Sequence, residues 1–190
     1  MRYILTGAQG TGKSTLLHHF EGKMELVTEV VRNLAKSKGI NVNESGDENG
    51  QSMIFNTYYD ILSKKDKTYL SDRGLTDVIA YTCSNMVNKG EEGQKFLEDQ
   101  INKFIQFTED NDDIVYFYVP IEFSVEDDGF RSTNEDFRRE IDENIYELFE
   151  YMEGLHRGLN VYTLRGTVEE RLSTMIEIMK NYGDYNYEEI

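Results

Sequence analysis

The chain has 190 residues, with 36 acidic against 20 basic side chains and a formal charge of −16. This length suits one domain with a sizeable core, and the acidic excess repels long polyanions, which disfavours duplex nucleic acid as a partner. A single cysteine, Cys83, excludes a disulfide framework, and His18, His19 and His156 have no zinc-ligand spacing.

Strands and helices are expected to alternate from the start. Arg2 to Thr6 reads as a first strand, followed by the segment Gly7-Ala8-Gln9-Gly10-Thr11-Gly12-Lys13-Ser14 and a helix over Lys13 to Glu21. Glu25 to Thr28 is a short second strand and Glu29 to Lys38 a helix, after which Gly39 to Gly50 is a polar loop by composition. Met53, Ile54, Tyr58, Ile61 and Leu62 share one face of the next helix. Thr68 to Ser71 is a third strand, and Leu75, Val78, Ile79, Thr82 and Met86 recur at helical spacing after it. A further helix carries Leu97, Ile101, Phe104 and Ile105.

The run Ile114 to Val119 is apolar at every position, as expected of a strand buried on both faces, and the one proline, Pro120, ends it. Phe137, Ile141, Ile145, Leu148, Met152 and Leu155 then step by three or four, with Ser132 and Glu135 spaced as a capping box. Val161 to Leu164 makes a fifth strand, and Val168, Leu172, Met175, Ile176 and Met179 the last helix. The tail from Asn181 to Ile190 has no clear periodicity and is expected to be peripheral. Such alternation implies an α/β fold, a three-layer arrangement of a five-stranded parallel sheet with helices on both faces, and ligands at the carboxyl ends of the strands.

The segment after the first strand spells G-x-x-x-x-G-K-S, a phosphate-binding loop in the strand-to-helix setting that the chemistry requires. Gly7, Gly10 and Gly12 leave main-chain donors bare, so amides can wrap a polyphosphate. Lys13 adds a point charge near the β- and γ-phosphates, the Ser14 hydroxyl can ligate Mg²⁺, and the helix dipole adds positive potential. Gln9, Thr11 and Thr15 complete the expected nucleotide-binding set, and ATP with Mg²⁺ is the expected ligand.

At the other strand ends, Glu29 lies three residues before Arg32, and Asp72-Arg73-Gly74 follows the third strand. A carboxylate there can hold Mg²⁺ and its neighbouring arginine can clamp a phosphate or an acceptor hydroxyl; either acid can instead cap a helix. Asp77 and Tyr81 lie one turn apart near the same corner, although Tyr81 can equally be core. Between the fourth strand and the following helix, residues 121–139 form a lid expected to bear Arg131 over the triphosphate, with Arg138 and Arg139 behind it. A solvated acidic loop is the alternative. Leu164-Arg165-Gly166-Thr167 is placed to cradle the base of the nucleotide through Gly166.

Taken in order, Gly-Ala-Gln-Gly-Thr-Gly-Lys-Ser-Thr, Glu29-x-x-Arg32, Asp72-Arg73-Gly74-x-x-Asp77-x-x-Ala80-Tyr81, Asp128-Gly129-x-Arg131 and Glu170-Arg171 resemble the AAA-type P-loop kinases. That group includes the nicotinamide riboside kinase domain of bacterial NAD regulators. The Asp-Arg corner also resembles that of thymidylate and deoxynucleoside kinases. The resemblance implies Glu29 or Asp72 as catalytic base or metal acid, Arg73 as the acceptor-side clamp and Arg131 as a lid arginine.

The expected activity is therefore transfer of the γ-phosphoryl of ATP to a nucleoside or nucleoside monophosphate. Lys13, Glu29, Asp72, Arg73 and Arg131 would be catalytic, Ser14 and Asp72 would hold the metal, and Glu29, Arg32, Arg73, Asp77 and Tyr81 would bind the acceptor. A nucleotide-sensing NTPase switch and a kinase of modified bases in DNA are the alternatives. No apolar stretch approaches the roughly 18 residues of a membrane span, and the first strand begins too near Met1 for a signal peptide, so the expected compartment is the cytoplasm. Small size and acidity suit a bacteriophage enzyme, whose compartment would be the host cytoplasm. Small nucleotide substrates are the expected partners, and a homodimer stays open.

Overall fold

The computed structural model describes residues 1–64, 67–86, 89–123, 134–155 and 158–184. Five parallel strands, β1 (Arg2–Thr6), β2 (Glu25–Val27), β3 (Tyr69–Ser71), β4 (Ile114–Tyr118) and β5 (Asn160–Thr163), form one sheet in the order β2-β3-β1-β4-β5. The helices are α1 (Lys13–His18), α2 (Val30–Lys38), α3 (Glu48–Leu62), α4 (Leu75–Met86), α5 (Gly90–Asp110), α6 (Glu135–Gly154) and α7 (Val168–Asn181). The expected alternation and parallel sheet are both present.

The strands alternate faces with a period of two, and each face meets helices. Ile4, Ile114 and Tyr116 pack with α3, α4, α5 and α6 through residues such as Tyr58, Ile79, Phe104 and Met152. Tyr3, Leu5, Val115 and Phe117 face the other way, onto Leu16, Leu17 and Phe20 and onto Met175, Ile178 and Met179 of α7. This double burial is why the fourth strand reads as an unbroken apolar run.

Several boundaries differ from the sequence expectation, each for a local reason. Helix α1 ends at His18, because the chain tightens into bonds from Phe20 N–H to Leu17 and from Glu21 N–H to His18 before Gly22 turns it at φ 73°. Helix α2 starts at Val30, since Glu29 sits in the left-handed region at φ 60°. Residues 39–50 are not all loop: a 3₁₀ turn forms at Asn43–Ser45, and Asp47 caps α3 by accepting the Gly50 amide at 2.8 Å. Helix α6 is capped by Asn134, whose side chain accepts the amides of Asp136 and Phe137, where Ser132 was expected. Ser132 lies outside the described residues, as do most of the expected lid and Arg131. The C-terminal segment is held as far as Asp184, which accepts from the Tyr3 hydroxyl at 3.0 Å and pairs with the amino terminus. Among the described residues no helix is long and apolar enough to cross a membrane.

Candidate active site

β1 lies in the middle of the sheet, so the loop leaving it emerges between β3 and β4, where the topology opens a crevice at the strand ends. That loop is the phosphate-binding segment. Gly7, Gly10 and Gly12 have φ of 149°, 71° and 93°, a region glycine enters without steric strain. At Gly7 a Cβ would stand 2.3 Å from the Val119 carbonyl oxygen, so the chain just after β4 also forbids a side chain there.

The Lys13 side chain is buried, and its ammonium donates to the carbonyl oxygens of Gly7 and Ala8, the latter at 2.7 Å. The Thr11 hydroxyl donates to Ala8 at 3.1 Å and serves the loop itself. Ser14 and Thr15 are exposed at the start of α1 and line the pocket with Gln9, Gly10, Gly12 and Lys13.

The opposite wall comes from β2, β3 and α4. Glu29, Arg32, Asp72, Arg73, Asp77 and Tyr81 all line the same pocket as the loop. Glu29 is half exposed and accepts from Arg32 at 3.2 Å, while its backbone amide donates to Asp72 Oδ2 at 3.3 Å. Asp72 also accepts from the buried Tyr58 hydroxyl at 3.4 Å. Burial pushes the Asp72 carboxyl above its ordinary pKa, against the pull of Arg73, the Glu29 amide and Lys13. Burial works against the charge on Arg73, yet Tyr81, Asp77, Tyr58 and Asp72 outweigh it and hold the guanidinium more firmly protonated than usual.

Arg73 lies over the Tyr81 ring at 5.4 Å, and the Tyr81 hydroxyl donates to Gln9 Oε1 at 2.6 Å. Both Asp77 oxygens are taken by backbone amides, so this carboxylate braces the wall that it lines. Beyond these groups the pocket continues along Val30, Val31, Val42, Ile54, Tyr58 and Val78, with Asn43 and Gln51 at its edge. Val42 and Asn43 come from the stretch expected to be loop, whereas Ile54 and Tyr58 lie on the helix that the apolar spacing indicated.

Gly166 follows β5 at φ 88° and donates its amide to Glu122 at 3.0 Å. Glu122 also pairs with Arg171, which lowers the Glu122 pKa, and Arg171 in turn donates to the Thr11 carbonyl at 2.8 Å. Gly166 is thereby tied to the back of the phosphate loop. Arg138, expected behind the lid arginine, lies fully buried and donates to the Gln9 carbonyl at 2.9 Å. Arg139 is exposed beside Asp136 at 3.7 Å.

This architecture and loop define the P-loop kinase fold. The chain belongs to a family of AAA domains whose sequence profile matches residues 2–171. No curated protein matches its sequence. Among solved structures, deoxyadenosine kinase from M. mycoides, with the products dCMP and a flexible dCDP bound, is similar at 15% identity and TM-score 0.60, over 96% of this chain and 100% of that one. The NadR protein in complex with NR is similar at 16% identity and TM-score 0.70, over 100% of this chain and 52% of NadR, so the chain spans about half of that protein. Thymidylate kinase from Candida albicans is similar at 13% identity and TM-score 0.59, over 96% of this chain and 92% of that one.

Proposed function

We propose that the chain is an ATP- and Mg²⁺-dependent phosphotransferase that moves the γ-phosphoryl of ATP to a nucleoside or nucleoside monophosphate. The observation that carries this reading is a single pocket in which the phosphate loop faces Glu29, Asp72 and Arg73 and which runs on between apolar walls. A switch needs only the first half of that pocket. The end of the pocket lined by Val30, Val31, Val42, Ile54 and Val78 suits an acceptor with a largely apolar body, such as a nucleobase.

The donor set fits Mg²⁺: the exposed Ser14 hydroxyl and the Asp72 carboxylate line one pocket and are both hard oxygen ligands. Among the described residues no group of three or more His, Cys, Asp or Glu is arranged to hold a metal ion by itself, so most ligands of such an ion would be phosphate oxygens and water. The ion would offset charge on the triphosphate. Lys13 would leave the loop carbonyls for the β- and γ-phosphates, and the loop amides would hold the rest.

With a hydroxyl acceptor, Glu29 takes the proton as the acceptor oxygen bonds to phosphorus and the bond to the ADP oxygen breaks. With a monophosphate acceptor, Arg73 and Arg32 supply the compensating charge. Tyr81 fixes Arg73 from below, so the clamp is set before substrate arrives. Arg131 is proposed as a lid arginine and Gly166 as the flank of the ATP base, the latter supported by its tether to the loop through Glu122 and Arg171. The cytoplasm is the proposed compartment.

The test is acceptor-dependent ADP release across nucleosides, deoxynucleoside monophosphates and nicotinamide riboside. Release that needs one of these acceptors supports the reading. ATP hydrolysis indifferent to every acceptor would favour the switch.

A further inference from the structure

Two arginines from distant parts of the chain converge on the outside of the phosphate loop. Arg138 of α6 and Arg171 of α7 are fully or almost fully buried, and each bonds both a carboxylate and a loop carbonyl, Arg138 reaching the Phe123 carbonyl as well at 3.3 Å. Arg138 donates from Nη1 to Glu135 at 2.9 and 2.7 Å and from Nε to the Gln9 carbonyl at 2.9 Å. Arg171 donates from Nη2 to Glu122 and from Nη1 to the Thr11 carbonyl at 2.8 Å.

In a trans peptide the carbonyl of one residue and the amide N–H of the next point in opposite directions. Holding the Gln9 carbonyl from behind turns the Gly10 N–H toward the pocket, and holding the Thr11 carbonyl does the same for the Gly12 N–H. The glycines leave these peptides free to rotate, so something outside the loop must choose their orientation. Elsewhere in the loop the Gly7 N–H is already taken by Asp77, and the Ala8 carbonyl by Lys13 and Thr11.

We propose that Arg138 and Arg171 are positioning residues that set the anion-binding face of the phosphate loop, by fixing alternate peptides so that the Gly10 and Gly12 amides meet the nucleotide's phosphates. This rests on the nucleotide-binding half of the reading above and is independent of the acceptor. A guanidinium fork can bridge a carboxylate and a carbonyl at once, whereas a lysine offers one ammonium centre and cannot hold the same two directions.

The experiment measures MgATP and MgADP binding by titration calorimetry in the wild type, Arg138→Lys and Arg171→Lys, with thermal melts to establish folding. Misplaced loop amides should weaken both nucleotides alike, by about tenfold. Glu135→Gln and Glu122→Gln, which release the other arm of each fork, should act in the same direction by about threefold, and they carry the test if a lysine variant does not fold. Folded variants with wild-type affinity for both nucleotides would overturn the proposal, and so would tenfold weaker MgATP with unchanged MgADP, the mark of an arginine that touches the γ-phosphate. Wild-type protein that binds MgATP yet phosphorylates nothing would remove the kinase reading and leave this inference standing; wild-type protein that binds neither nucleotide would remove both.

Discussion

Asp77 accepts the Gly7 amide on one carboxylate oxygen at 3.2 Å and the Gly74 amide on the other at 3.0 Å, so the β3–α4 corner and the first residue of the phosphate loop share one side chain. The two facing walls of the pocket are thereby held at a fixed separation. Under the proposed function that spacing matters, because phosphoryl transfer is catalysed mainly by positioning and charge compensation.

Asp77 is 1% exposed, so Asp77→Ala leaves two buried amides without their acceptor. The expected loss is about 1–3 kcal/mol of stability, read from urea denaturation. A loss within about 0.5 kcal/mol, the range of an ordinary surface substitution, would mean that the bridge contributes nothing to the frame.

Glu29 holds the left-handed conformation at φ 60°, which an ordinary residue adopts at a cost of roughly 1–2 kcal/mol. Strain of this kind gathers at functional sites. Glu29→Gly relieves it but loosens the unfolded chain, so net stability should stay within about 1 kcal/mol. Acceptor turnover should fall about 10²-fold or more with the carboxylate gone. A folded, fully active glycine variant would rule out Glu29 as the base.

Burial raises the Asp72 pKa from 3.8, so as pH falls this carboxylate takes up its proton earlier than an exposed aspartate would. Under the proposed function, ionised Asp72 would be the form that serves the metal. The acid limb of kcat/KM should therefore lie above the ordinary aspartate range, and Asp72→Asn should abolish that limb and raise the Mg²⁺ requirement. An unchanged acid limb and a flat metal titration in Asp72→Asn would remove Asp72 from the metal site.

Much of this was legible in the sequence, and the reasons are physical. A parallel sheet sends its strand ends to one edge, so Lys13, Glu29, Asp72 and Arg73 needed only correct strand assignments to fall into one pocket. One edge of the pocket was not legible, because Val42, Asn43 and the 3₁₀ turn at Asn43–Ser45 lie in a polar stretch with no periodicity, whereas Ile54, Tyr58 and Val78 sit on helices that the apolar spacing indicated. Arg138 and Arg171 hide differently. Each continues the buried stripe of its helix, Arg138 with Ile141 and Ile145, Arg171 with Met175 and Ile178. A charged residue in line with an apolar stripe is the signal in the sequence for a buried side chain with a polar task.

Every catalytic expectation above requires MgATP to bind at the phosphate loop, which titration calorimetry of the wild type against Lys13→Met measures. Lys13 donates to the Gly7 and Ala8 carbonyls, so the variant also loses loop contacts and should melt slightly lower while remaining folded. The wild type should give a one-to-one binding isotherm, and Lys13→Met should lose it. A well-folded wild type that gives no heat with MgATP or MgGTP, or a Lys13→Met variant that binds as tightly, would contradict binding at the loop.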